Sequence, residues 1–221
     1  VTKGAQQATL IHPATQDTIN LAGDILAQGG LVAIPTETVY GLIANALDKY
    51  AVARIFETKG RAFDKPLIIF VSDLAGAKKL ADFTPLAARL AEEFWPGALT
   101  LVLKRRQGYP LPEILTAGRD SIAIRIPKNP VARALLKTSH LPLAVTSANP
   151  SGGMSPTTAK GVAEALPDAL DLILDGGAAE IGRESTVLDV RADPPVLVRE
   201  GATSRQVLED FIGARIERPE P

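Results

Sequence analysis

The stretch INLAGDILAQGGLVAIPTETVYG, Ile19 to Gly41, decides the fold. Ile19, Ala22, Gly23 and Leu26 recur at helical spacing ahead of the stop at Gly29 and Gly30. The apolar run Leu31–Ile34 follows at once and ends at Pro35, so it reads as a strand entering a polar loop, PTETVYG. Helix, glycine stop, strand and loop then recur along the chain. Strands are expected at 67–71, 99–103, 121–126, 143–147, 172–175, 186–190 and 195–200, each bounded by Pro, Gly or Asp. Helices are expected at 49–59, 75–81, 85–94, 130–138, 157–166 and 204–212. Strands and helices that alternate, then give way to closely spaced strands, predict a single α/β domain on a mixed sheet.

Composition narrows the function. With 221 residues, 46% of them apolar, the chain can bury a substantial core. A formal charge of −1 and a pI near 6.2 exclude a generally polybasic nucleic-acid binder, so any anion site must be concentrated in one place. The absence of cysteine removes disulfides, thiolate zinc sites and thiol chemistry. The start, VTKGAQQATLIHP, lacks a signal-peptide pattern and no apolar run approaches the ~20 residues of a membrane span, so a cytoplasmic setting with no membrane partner is expected. The missing initiator Met and the tail RIERPEP leave open whether this is a processed chain or one domain of a longer one.

The familiar nucleotide signatures are missing: no phosphate loop of the G-x-x-x-x-G-K-[ST] type, and no G-x-G-x-x-G after a strand. His12 and His140 share no motif, which argues against a histidine metal site or a Ser-His-Asp triad; no metal-ligating residues are assigned. What remains is a set of cations and hydroxyls at strand ends and in loops, suited to a reaction driven by positioning and charge stabilisation, such as nucleotidyl transfer. In ETKGRAFDKP, Lys59 ends an amphipathic helix with Asp48 as N-cap and Gly60 as a left-handed stop. Lys59, Arg61 and Lys65 are therefore either a solvated helix end or one wall of an anion site. Ser147 and Asn149, in the turn-rich TSANPSGGMSPT, either cap turns or bind a polar ligand. In SIAIRIP the isoleucines at 122, 124 and 126 share one face, so Ser121, Ala123 and Arg125 share the other, where an arginine needs water, a carboxylate or a ligand. Arg199, beside Glu200, reads as an ion pair or a ligand contact, and Ser185 and Thr186 as strand entry.

Taken in order, PTETVYGL (35–42), KGR (59–61), KPL (65–67), FWPGALTLVL (94–103), IAIRIP (122–127), TSANPSG (146–152), ESTVLDV (184–190) and VLVREG (196–201) resemble the threonylcarbamoyl-AMP synthases, the YrdC-type domain. The resemblance runs from about residue 19 to 212, giving an expected domain over 10–213 and a tail or linker start over 214–221. It implies a twisted open α/β sheet flanked by helices, with a basic concave cavity, and the conversion of L-threonine, bicarbonate and ATP to threonylcarbamoyl-AMP and pyrophosphate. It also implies Mg²⁺ with the nucleotide, and tRNA and a downstream threonylcarbamoyl transferase as partners in the N6-threonylcarbamoyl modification of adenosine 37. By position, Arg61, Lys65, Ser121, Ser147, Ser155 and Arg199 match the ATP set, while Lys59 and Asn149 complete a catalytic set with Arg61 and Ser147. Thr38, Arg125, Val145 through its backbone, and Ser185 match the threonine set.

Three positions depart from the family pattern. Ile43 stands where glycine is common, Phe70 where histidine is common, and Lys65 where asparagine is common. Phe70 touches the expected threonine pocket. Two rival readings are a carbamoyl transferase making a carbamoyl adenylate on the same fold, and a double-stranded RNA-binding module. Near-neutral charge and the lack of an aromatic stacking set count against the RNA module.

Overall fold

The structure is a computed structural model that describes residues 11–219. Leu10 at the start of the expected domain, the last two residues of the expected tail and nearly all of the stretch read for a signal peptide lie outside the described residues. Among the described residues eleven strands form one mixed sheet: β1 (Ile11–Pro13), β2 (Val32–Ile34), β3 (Gly41–Asn45), β4 (Ile68–Phe70), β5 (Ala81–Asp82), β6 (Leu99–Arg105), β7 (Ser121–Arg125), β8 (Leu143–Ser147), β9 (Leu172–Asp175), β10 (Thr186–Asp189) and β11 (Val196–Arg199). Eight helices cover it: α1 (Gln16–Ala27), α2 (Lys49–Lys59), α3 (Leu74–Leu80), α4 (Pro85–Phe94), α5 (Glu113–Thr116), α6 (Pro130–Ser139), α7 (Ala159–Ala165) and α8 (Arg205–Ile212). The strand order is β1-β9-β2-β3-β8-β4-β7-β6-β10-β11, with β5 on β6.

The expected α/β domain is the one observed. Local chemistry sets its punctuation: the Asp48 carboxylate accepts the Tyr50 N–H at 2.8 Å to start α2, and Gly60 ends it at φ 58°. Three short strands and one helix were not expected from the sequence. β3 is the consequential one, because the run GLIAN lies directly after the loop PTETVY and is buried on both faces, so it shows no alternation. It pairs antiparallel with both β2 and β8 and so carries the loop 35–40 to the middle of the sheet.

Side chains alternate between two cores. Ile69, Ile122 and Ile124 face one side with residues of α2, α3, α4 and α7, whereas Phe70, Leu143 and Val145 face the other with α1 and α6. Ile43, the departure from glycine, packs in this second core at 0% exposure. Packing also continues past the expected boundary at 213: Ile216 is buried, and Glu217 bridges to the 195–197 segment, its C=O accepting the Leu197 N–H at 2.8 Å and its N–H donating to the Pro195 C=O at 2.8 Å.

Ile124, wholly buried in a strand paired on both sides, tests this division of faces. Ile124→Ala should lower unfolding stability by about 2–5 kcal/mol through lost transfer energy and a cavity, read as a lower denaturant midpoint with an unchanged slope. A loss no larger than that of an exposed surface substitution would contradict it.

Candidate active site

Helices α1 and α6 cover only part of their face of the sheet. The remainder opens as a cleft of about 730 Å³ floored by β3, β8, β4, β7 and β10 and closed at one side by the 59–66 segment. Of the twelve residues assigned from the sequence, Thr38, Lys59, Arg61, Lys65, Ser121, Arg125, Val145, Ser147, Asn149, Ser185 and Arg199 line it. Ser155 stands behind that lining and donates its hydroxyl proton to Glu184 Oε1 at 2.9 Å. Seven lysine and arginine side chains face the cleft, against Asp64, Glu184 and Asp189.

Strand parity places Arg125 as expected, with Ser121 and Ala123 on the cleft side. Its guanidinium is 3% exposed, and the partner that the sequence left open is a carboxylate. Nη2 donates to Glu37 Oε1 at 2.7 Å, Nη1 to Thr38 Oγ1 at 3.1 Å and Nε to the Gly97 carbonyl at 2.8 Å. Glu37 Oε2 accepts the Asn129 N–H at 3.2 Å, which ties the pair to the start of α6. Thr36 donates to the Val39 carbonyl at 2.6 Å, so in the 2.8 Å contact between the two hydroxyls Thr38 is the donor. The Phe70 ring lies 5.4 Å from the guanidinium carbon and backs the pocket with an apolar, cation-stabilising face.

Burial alone would raise the Glu37 carboxyl, but the charge and hydrogen bond of Arg125, helped by backbone N–H groups, hold it below the usual carboxylate range. Burial pulls the Arg125 guanidinium down while Glu37 pulls it up. A group that starts so far above neutrality stays charged.

The helix-end cations differ from the solvated picture. Lys59 is 4% exposed, and its ammonium donates to the carbonyls of Ser147 and Asn149, while its own carbonyl accepts the Ser151 N–H at 2.8 Å. Lys59 thus pins the loop after β8 to the end of α2. Burial, then the Arg61 charge, brings its pKa down to about 8, with Glu184 opposing. Arg61 folds over the carbonyls of Lys65 and Pro66 at 3.1 and 2.9 Å, and Lys65 is exposed. Asn149 Nδ2 donates to the carbonyls of Pro150 and Gly153 at 2.8 Å each, which fixes the amide orientation and leaves Oδ1 buried without a partner.

Arg199 pairs with Glu184, not with Glu200, and also donates to the Ser185 carbonyl at 2.9 Å. Ser185 Oγ in turn lies 2.9 Å from Thr100 Oγ1. Glu37 and Glu184 are the carboxylates paired with assigned arginines that the sequence assignment missed. A strand arginine facing inward was the signal for the first, since it demands an acid; nothing in the sequence distinguished Glu184 from the adjacent strand-entry residues.

Residues 24–201 match the model of the Sua5/YciO/YrdC family, described as telomere recombination. The chain belongs to this family. It is 47% identical over 196 residues to the threonylcarbamoyl-AMP synthase of Pyrococcus abyssi, covering 88% of this chain and 57% of that protein. Against the threonylcarbamoyl-AMP synthase of Bacillus subtilis it is 46% identical over 193 residues, covering 87% and 56%. The structure of P. abyssi Sua5 complexed with L-threonine superposes with a TM-score of 0.89 at 44% identity, over 96% of this chain and 62% of that one. The chain thus spans only 57% and 56% of the length of these two curated relatives.

The buried pair sets an acid limit on the fold. Because the Glu37 carboxyl is held low in the folded state, its contribution is present above the unfolded-state pKa and is lost as pH falls through the folded-state value. Glu37→Gln should destabilise the protein at neutral pH by roughly 3–5 kcal/mol, as expected for an orphaned buried charge, and flatten the fall of stability with acid. An acid limb identical to that of the unmodified protein would contradict this.

Proposed function

We propose that this chain is a threonylcarbamoyl-AMP synthase domain that joins L-threonine, bicarbonate and ATP into threonylcarbamoyl-AMP with release of pyrophosphate. In this reading it acts in the cytoplasm, and a downstream transferase passes the threonylcarbamoyl group to adenosine 37 of tRNA. The observation that carries the reading is Arg125: a buried guanidinium held by Glu37 in a cleft that also gathers Lys59, Arg61 and Arg199. The similarity to synthases in P. abyssi and B. subtilis supports it.

The chemistry has two steps. The threonine amine and bicarbonate condense to a carbamate with loss of water, and a carbamate oxygen attacks the α-phosphorus of ATP as pyrophosphate leaves. The difficulty is electrostatic, since a carbamate that also bears a carboxylate must approach a polyanion. Of the five N–H donors of Arg125, Glu37, Thr38 and Gly97 take three, which leaves two for a substrate carboxylate. Thr38 and Ser185 would add polar contacts to the amino acid, Val145 a backbone contact, and Phe70 an apolar wall for its methyl group. Arg61, Lys65, Ser121, Ser147, Ser155 and Arg199 would hold the nucleotide, with Lys59 and Asn149 shaping the turn that follows Ser147 at the end of β8. A short-lived carbamate held against the phosphate gains from proximity and from exclusion of water. Among the described residues no group of three or more His, Cys, Asp or Glu is placed to hold a metal, so the chain offers no cage for Mg²⁺, which would enter as part of the nucleotide substrate.

Purified protein given ATP, Mg²⁺, threonine and bicarbonate should release pyrophosphate, and omission of threonine or bicarbonate should abolish release. Full release without threonine would contradict the threonine assignment. Arg61→Ala and Ser147→Ala should each reduce ATP use about ten- to a hundredfold, the cost of a lost charge-assisted contact, without unfolding the protein.

The threonine half has its own test. Arg125→Ala should raise the threonine KM strongly, whereas Phe70→His should lower it or leave it unchanged. Equal use of threonine, serine, valine and glycine by both the unmodified protein and Phe70→His would remove threonine from the assignment.

A further inference from the structure

A second groove lies outside the cleft. Strands β4 and β7 are parallel neighbours, yet the helices that follow them pass to opposite faces: α3 places Ala77 and Leu80 in one core, and α6 places Ala132, Leu135 and Leu136 in the other. Neighbouring parallel strands whose connections diverge leave a crevice beyond their carboxyl ends, and open α/β sheets bind ligands there. In this chain a groove of about 620 Å³ occupies that place, bounded by Ser72 and Asp73 after β4, Lys79 on α3, Arg133 and Lys137 on α6, and His140 just after it. Its volume lies within the range of small-molecule sites.

The charge of the groove selects the ligand. Asp73, its one carboxylate, is already committed: Oδ1 accepts the Gly76 N–H at 2.7 Å and Oδ2 the Ser72 hydroxyl at 3.0 Å. Among the described residues no carboxylate pairs with Lys79, Arg133 or Lys137. Arg133 goes further, because its Nη1 is buried with no hydrogen-bond partner. The guanidinium thus keeps hydrogen-bonding capacity unspent within the protein, and with Lys79 and Lys137 it gives the groove a cationic lining suited to an oxyanion. We propose that this groove binds a small phosphate-bearing anion, of the size of pyrophosphate or a nucleoside monophosphate, separately from the nucleotide cleft. The proposal does not depend on the reaction assigned to the cleft.

Calorimetric titration of the whole chain with pyrophosphate tests it. Two binding events are expected. Arg133→Met and the exposed, charge-reversing Lys137→Glu should each weaken one of them by about tenfold or more, while Arg61→Ala weakens only the other. Thermal denaturation of the Lys137→Glu protein guards against a folding defect in Arg133→Met. A single event that Arg61→Ala weakens and both groove variants leave unchanged, or two events indifferent to both groove variants, overturns the proposal. So does a groove that binds a short RNA in an Arg133-dependent way but not free pyrophosphate. Failure of the cleft assignment would show only in the Arg61→Ala titration.

Discussion

A guanidinium buried to 3% exposure in the middle of a sheet constrains everything around it. Arg125 has to be neutralised and its donors satisfied, because an uncompensated buried charge would cost several kcal/mol. Glu37 supplies the charge, Thr38 and Gly97 the remaining acceptors, and they come from two separate parts of the chain. One side chain thereby fixes the loop before β3, the turn before β6 and, through Glu37 and Asn129, the start of α6. Three of the five Arg125 N–H groups are bonded within the protein, so the floor of the cleft is held by the protein's own contacts.

The opposite wall is held by a different device. Lys59 uses its ammonium on the carbonyls of Ser147 and Asn149, so it ties the end of β8, where Ser147 stands, and the turn that follows it to the end of α2. Glu184 sits among the cations there, bonded to Arg199 and Ser155. In the free protein this carboxylate keeps Arg199 and Ser155 in place. Under the proposed function, a phosphate arriving at these cations would compete with Glu184 for them. Arg125 is thus charge-balanced by Glu37, whereas over the cleft lining as a whole cations outnumber acids.

Much of this was legible in the sequence, for identifiable reasons. The helices around Ile19–Leu26 and Lys49–Lys59 carry a clear period and clear caps, and the parity of SIAIRIP put Arg125 on the correct face without any tertiary knowledge. Strand β3 was not legible, since a strand buried on both faces and joined to a loop shows neither alternation nor a boundary. The partners of Arg125 and Arg199 were equally hidden: Glu37 is 88 residues from Arg125 in sequence, and Glu200 beside Arg199 was a nearer but false candidate for the acid that Glu184 provides. Periodicity reports which face a residue is on; only the sheet order tells which other residue shares it.

The central claim is that one cleft joins the carbon of bicarbonate to threonine and then to the α-phosphate of ATP. Incubation of the protein with ¹³C-bicarbonate, threonine and ATP, followed by mass spectrometry of the nucleotide products, tests it most directly. The account predicts an adenylate that carries threonine and one ¹³C atom, and its absence from the Arg125→Ala protein. A labelled adenylate without threonine, or AMP with no label in any adenylate, would contradict it.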